Sequence, residues 1–218
     1  MAQLYKTYLI NDANLQAYYR FEDDATDSAN SYDLTNTNVT FITGKYGKGA
    51  VKDNDSDKLQ INSDLGMTTS SDFSINCWWH PTTVGGASDW RIFILEIDNA
   101  RYYRCIQSAS DTITWDNGDD STSYTYDSNL ETDKFHMITC VKDGTSVKLY
   151  FDGVLRDTGS YQAGSAGSTV FTVFTQYNQT NGTRGVIDDL AVFNKVLSQA
   201  EINTLYSDAS GALILMQL

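Results

Sequence analysis

Apolar and polar residues alternate along most of this chain. Phe73, Ile75, Cys77 and Trp79 alternate with Ser74, Asn76, Trp78 and His80, and Val147, Leu149 and Phe151 alternate with Lys148, Tyr150 and Asp152. A period of two sends successive side chains to opposite faces of a pleated strand, so both segments are predicted strands. The same pattern predicts strands over 15–22, 39–43, 91–97, 101–107, 112–115, 123–127, 135–141, 170–175 and 186–193. Asp143-Gly144, Asp152-Gly153, Asn117-Gly118 and Asn181-Gly182 sit between or beside these segments. Such pairs supply the positive φ angles of tight hairpins, which predicts an antiparallel arrangement. One segment has a helical period instead. Ser198 and Glu201 form a capping-box pattern ahead of Ile202, Leu205 and Tyr206, predicting a helix of about two turns that must dock on the sheets to persist.

Composition agrees with an all-β chain. The 218 residues are 41% hydrophobic, with 14 Tyr, 9 Phe, 4 Trp and a single Pro. That suits one large sandwich better than two ordinary domains. The expected division is an N-terminal arm over 1–12, the domain over 13–207 and an apolar tail over 208–218. A formal charge of −13 argues against nucleic acid, because neutralising phosphates takes clustered Lys and Arg. It disfavours anionic membranes in the same way. Cys77, Cys105 and Cys140 are odd in number and lie within apolar or aromatic runs, which predicts buried thiols rather than a disulfide framework or zinc site. Residues 1–10 carry one Lys and no apolar core followed by a cleavage site, so the expectation is no signal peptide and synthesis in the cytoplasm. No apolar stretch reaches membrane-spanning length, so no membrane insertion is expected.

A family resemblance rests on ordered blocks. Residues 15–22 (LQAYYRFE) with 27–30 (DSAN), then 44–50 (GKYGKGA), resemble the opening of laminin-G-like jelly-roll domains of the concanavalin A-like lectin/glucanase superfamily. The order continues through 73–81 (FSINCWWHP), 135–139 (FHMIT), 147–153 (VKLYFDG), 185–194 (GVIDDLAVFN) and 197–202 (LSQAEI). The resemblance implies a two-sheet antiparallel concanavalin A-like jelly-roll sandwich with one short C-terminal helix. It further implies a concave face used for carbohydrate or protein recognition, and a structural Ca²⁺ where the first and last strands meet.

Calcium takes about six to eight oxygens from carboxylates, amides, carbonyls and water, and the loop over 22–30 with Asp188 and Asp189 offers such groups. Glu22, Asp27 and Asp188 are the candidate ligands. By strict alternation Asp188 shares a face with Val186, Leu190 and Val192, making it the more buried of the pair. A buried aspartate must be coordinated, paired or protonated, and the alternative to a metal is that Asp188 accepts backbone amides in a tight corner.

Sugars present apolar C–H faces and hydroxyls together, so a protein reads them with an aromatic ring edged by polar groups. Trp90 with Arg91, Trp115 with Asn117, and Tyr124 with Tyr126 are the candidates. These rings serve equally as caps on the sandwich ends or as contacts with a neighbouring subunit. Trp78, in a family-matching strand, is expected in the core.

An enzymatic reading starts from Leu95-Glu96-Ile97-Asp98, which resembles the catalytic strand of a glycoside hydrolase family on this fold. Retaining hydrolysis needs a second carboxyl group across the scissile bond, yet Ala100 and Arg101 stand where the family's third acid belongs. No catalytic residue is assigned. His80 and His136 are the only histidines; neither lies in a recognised catalytic pattern, and His136, on a family-like strand, is expected to be a hydrogen-bonded structural histidine. The sequence therefore predicts a non-catalytic module that binds a glycan or cell-surface polysaccharide. The expected setting is a virion surface, as a decoration or tail protein, within a homo-oligomer or larger assembly. A purely structural virion role is the first alternative, and a glycoside hydrolase the second.

Overall fold

Fifteen strands and one helix form among the residues that the computed structural model describes: 12–54, 56–68, 70–82, 90–97, 101–107, 112–116, 124–127, 134–160, 169–174 and 185–208. An eight-stranded sheet orders β13 (Val154–Ser160), β12 (Ser146–Phe151), β11 (His136–Asp143), β6 (Phe73–Pro81), β15 (Gly185–Phe193), β4 (Lys48–Val51) and β3 (Thr40–Thr43). Strand β1 (Leu15–Tyr19) also pairs with β15. A seven-stranded sheet orders β10 (Tyr124–Asp127), β9 (Thr112–Asp116), β8 (Arg101–Gln107), β7 (Trp90–Ile97), β14 (Val170–Val173), β5 (Lys58–Ile61) and β2 (Thr35–Thr37). Among the described residues every strand pair is antiparallel, as the turn chemistry predicts.

The inward rows of the two sheets meet in one core. Phe73, Ile75, Cys77 and Trp79 of β6 join Phe93, Leu95, Tyr103, Cys105, Trp115 and Phe171 of the other sheet. Each large side chain taken out of water contributes about 1.5–3 kcal/mol. Trp79 keeps its polar group satisfied by donating Nε1–H to Gln107 Oε1 at 3.0 Å across the sandwich.

The outer face of the eight-stranded sheet carries a second apolar cluster. Trp78, Met137, Val141, Tyr150 and Phe193 pack with Ile202 and Leu205 of the helix α1 (Gln199–Asp208). Trp78 stacks on Tyr206 with ring centroids 6.0 Å apart. This docking explains why both faces of β6 and β15 are buried. The predicted capping box forms: Ser198 N–H donates to Glu201 Oε2 at 2.7 Å, and Glu201 N–H donates to Ser198 Oγ at 3.3 Å.

Two predicted turns are present, with Asp152 at φ 51, Gly153 at φ 77 and Gly144 at φ 55. The two Asn-Gly pairs lie outside the described residues. Strands β2, β4, β5 and β13 were not predicted. They are short or lie along sheet edges, and β13 has exposed Val154 and Leu155, so no buried row marks it.

Strict alternation fails at one place in β15. Pairing with β6 shifts between Asp188 and Ala191, and Asp189 adopts φ 49. This bulge changes parity, so Ile187, Leu190 and Val192 face the inter-sheet core. Asp188 therefore does not share the face of Leu190 and Val192. It lies opposite Trp78 on the outer side, buried all the same.

Candidate functional site

The outer face of the seven-stranded sheet is polar. Because side chains alternate, Tyr103 and Cys105 of β8 enter the core while Tyr102 and Arg104 take the opposite face. Register aligns Arg104 with Ile94, Ile94 with Thr172 and Thr172 with Gln60, while Tyr102 aligns with Glu96 and Ile106 with Arg91. Ile94 and Thr172 are closed to solvent, Glu96 is 4% exposed and Arg91 8% exposed. Tyr102, Arg104 and Gln60 are half-buried, so solvent reaches them. The Arg104 guanidinium carbon lies 5.2 Å from the Tyr102 ring centroid. A cation held over an aromatic face is pre-oriented beside an apolar platform.

The predicted binding residues divide across the sheet. Arg91 belongs to this polar face. Trp115 does not serve as an exposed platform: it is fully buried, stacked on Tyr103 with centroids 5.7 Å apart and edge-on to Phe73 at 6.3 Å. It faces inward because it pairs with Cys105, a core position. Trp90 and Arg91 are consecutive on one strand, and their positions pair with Gln107 and Ile106 respectively. The side chains of Trp90, Tyr124 and Tyr126, and all of Asn117, lie outside the described residues. In the backbone, Tyr124 pairs with Trp115 and Tyr126 with Ile113. Sequence reasoning missed Tyr102 and Arg104, since the run RYYRCIQ places aromatic or apolar residues on both parities.

The carboxylates assigned to calcium hold backbone amides. Asp27 Oδ1 accepts from Tyr18 N–H and Ala29 N–H, each at 2.8 Å, and Oδ2 accepts from Asn30 N–H at 3.1 Å and Tyr32 N–H at 3.2 Å. Asp188 Oδ2 accepts Tyr46 N–H at 2.8 Å, and Glu22 Oε2 accepts Lys48 N–H at 3.2 Å. Arg20 lies 3.8 Å from Glu22 Oε1. A β-carbon on Gly44 would fall 2.6 Å from Asp188 Oδ2, and one on Gly47, at φ +67, would fall 2.2 Å from Glu22 Oε1. The two glycines thus let the turn settle onto both carboxylates.

These donors aim the positive ends of N–H dipoles at the oxygens that a cation would need. Among the described residues, no group of three or more His, Cys, Asp or Glu side chains is placed to hold a metal ion. Glu22, Asp27 and Asp188 do not form such a group, and Asp188 holds a backbone amide as the tight-corner alternative describes. Beside it, the Tyr18 hydroxyl donates to Asp189 Oδ1, and burial together with the Asp189 charge holds the Tyr18 phenol well above its usual range.

The other chemistry-bearing residues are in structural settings. Glu96 sits on the polar sheet face, and Asp98 lies outside the described residues. His136 Nδ1 is 2.9 Å from Asp152 Oδ2, in line with the expected hydrogen-bonded histidine. Cys77, Cys105 and Cys140 are buried thiols, as predicted.

Two antiparallel sheets packed face to face, with a docked C-terminal helix, define a concanavalin A-like sandwich. Residues 53–203 match the family model of the concanavalin A-like lectin/glucanases superfamily, and the chain belongs to this family. No curated protein matches the chain in sequence. Domain 4 of AbnA, a GH43 extracellular arabinanase from Geobacillus stearothermophilus, solved with arabinotriose, is similar with TM-score 0.70 and 18% identity over 90% of this chain and 98% of that domain. The receptor binding domain of botulinum neurotoxin D is similar with TM-score 0.70 and 19% identity over 91% of this chain and 53% of its own length. The neurotoxin D ligand binding domain in complex with N-acetylneuraminic acid gives TM-score 0.70 and 18% identity, with 92% and 52% covered. The chain spans about half the length of these neurotoxin domains. At such identities the likeness is one of fold.

Proposed function

We propose that this chain is a non-catalytic carbohydrate-binding module that docks a glycan on the outer face of its seven-stranded sheet. The observation that carries this reading is the Arg104 guanidinium held over the Tyr102 ring among half-buried polar groups. Sugar recognition needs that combination of an apolar platform and oriented donors. Two similar folds solved with arabinotriose and with N-acetylneuraminic acid support the ligand class. A glycan array on the whole chain, repeated with Arg104→Ala and Tyr102→Ala, tests it. The variants are expected to lose signal while melting within a few degrees of the parent; retention of full signal by both would count against this face.

The family's name includes glucanases, so release of reducing ends from a polysaccharide panel is the matching test for catalysis, and no release is expected. The setting we favour remains a larger assembly such as a virion surface, on the strength of the apolar run at 213–216. Light scattering on the full chain and on a truncation before Gly211 tests that placement, and a monomer in both would oppose it.

A further inference from the structure

At the edge where β1 leaves the eight-stranded sheet, a depression of about 370 Å³ opens between β1 and the loop that follows it, lined by Ala13, Leu15, Gln16, Asn30, Ser31 and Tyr32. It is separate from the Tyr102–Arg104 face. Its walls are fixed. Asp27 gathers the N–H groups of Ala29, Asn30 and Tyr32, and Asn30 Nδ2 donates to the carbonyls of Leu15 at 3.1 Å and Gln16 at 2.8 Å. The carboxylate that resembled a metal ligand therefore shapes this loop.

Two of the lining side chains carry polar tips: a β-carbon on Gly66 would lie 3.1 Å from Tyr32 Oη and 3.4 Å from Gln16 Oε1, so both reach toward this glycine beside the depression. Gly66, at φ 75, follows Leu65, a fully buried leucine at φ 56. A leucine held in the left-handed region is strained, and such strain collects at ligand clamps. Tyr32 is half-buried and packs against the main core, which fixes its ring, while Ser31 is exposed.

We infer that this depression is a second saccharide subsite, built for an uncharged sugar unit, with Tyr32 as platform and Gln16 and Ser31 as hydroxyl partners. The inference rests on the carbohydrate-binding reading above and adds a place and a charge preference. The lining side chains carry no formal charge, whereas Asp27 and Asp33 stand on the adjoining segments. Burial, and after it the charges of Asp27 and Asp33, hold the nearby Tyr19 phenol above its usual range, and those two carboxylates make the potential beside the depression negative. Such a potential repels carboxylated sugars and leaves neutral ones indifferent.

Titration calorimetry with xylotriose, arabinotriose, maltotriose and sialyllactose tests this on the full chain, on Ala13→Trp, which fills the depression from an exposed position, and on Gln16→Ala. A neutral trisaccharide is expected to bind the parent more tightly than sialyllactose does. Both variants should weaken it about tenfold, the loss of one or two oriented polar contacts, with melting temperatures unchanged. Neutral-sugar affinity within twofold of the parent in both variants, but reduced by Arg104→Ala, overturns this subsite and leaves the sheet-face reading standing. A preference for sialyllactose overturns the charge argument. Absence of any binding by the parent to these sugars and to a glycan array overturns both readings.

Discussion

Asp188 accepts the backbone N–H of Tyr46 at 2.8 Å, joining positions 142 residues apart in sequence. The contact ties the turn between β3 and β4 to the bulge in β15, and both partners lie over Trp78: the Tyr46 ring is edge-on to it at 6.2 Å. A buried carboxylate without such a donor would be costly. The corner exists because two glycines admit the acid side chains and pairing opposite Trp78 keeps Asp188 on the outer side.

Asp188→Ala should therefore leave the Tyr46 N–H buried without its acceptor, costing about 1–3 kcal/mol. For a domain of this size that lowers the melting temperature by roughly 2–12 °C. Asp188→Asn keeps an acceptor and should lose less. Differential scanning calorimetry of the two variants decides the point, and equal losses would speak against the hydrogen bond as the source.

Removal of calcium is expected to have no effect on stability. A site saturated at about a hundred times its dissociation constant would add about 2.7 kcal/mol, readily seen in a melt. Melts in excess EDTA and in millimolar Ca²⁺ should coincide; an upward shift of several degrees with Ca²⁺ would restore a metal to the β1–β15 corner.

Asp27 organises the loop over 27–32 through four backbone donors. Asp27→Ala should destabilise the chain by about 2–3 kcal/mol and, more tellingly, speed hydrogen exchange at the amides of Ala29, Asn30 and Tyr32. Unchanged exchange at these three amides would show that the loop holds its shape by other means.

Lys195 pairs with Asp12 and, at 2.6 Å, with Glu201, joining the start of β1 to the first turn of α1. Burial alone would raise both acids, but hydrogen bonds from Lys195, together with those from Asn14 and Ser198, hold them below their ordinary values. A depressed folded-state pKa gives stability that is complete above the unfolded value, about pH 4–4.5, and is lost as the pH falls through the folded value. Burial lowers the Lys195 ammonium while its two carboxylate partners raise it further, for a net upward shift. Its share is complete below about pH 10.5 and is lost above the folded value. Lys195→Met should flatten the acid limb of a stability-versus-pH curve between about pH 5 and 3; an unchanged slope there would place the acid sensitivity elsewhere.

Burial raises the Cys140 thiol, outweighing a contact with Cys105. Since the thiolate is the reactive form, all three cysteines should resist Ellman's reagent in the native chain and react together on unfolding in urea. Rapid native labelling of one thiol would mark a local opening of the core.

Much of the fold was legible because burial imposes its period on the sequence. Alternation in β6 and β12, the Asp-Gly turns and the Ser198–Glu201 capping box are local signals, each arising within a few residues. The chain by itself determined a sandwich of antiparallel strands, buried thiols, a hydrogen-bonded His136 and a docked C-terminal helix. Edge strands such as β13 were invisible, because a strand with no buried row acquires its identity from the neighbour it pairs with.

The site was decided by tertiary structure. Trp115 reads as a ring beside a polar loop, but its cross-strand partner Cys105 sends it into the core. Tyr102 and Tyr103 are adjacent and alike, and only the packing of the opposing sheet says which one reaches solvent. Asp27 and Asp188 carry the composition of a calcium site, yet the backbone donors that meet them come from chain up to 142 residues away. Local sequence sets which groups are available, whereas the register of distant strands sets which of them meet. The bulge at Asp188 and Asp189 shows the reason: one extra residue reverses the parity of everything beyond it, and only the paired partner strand fixes where that residue goes.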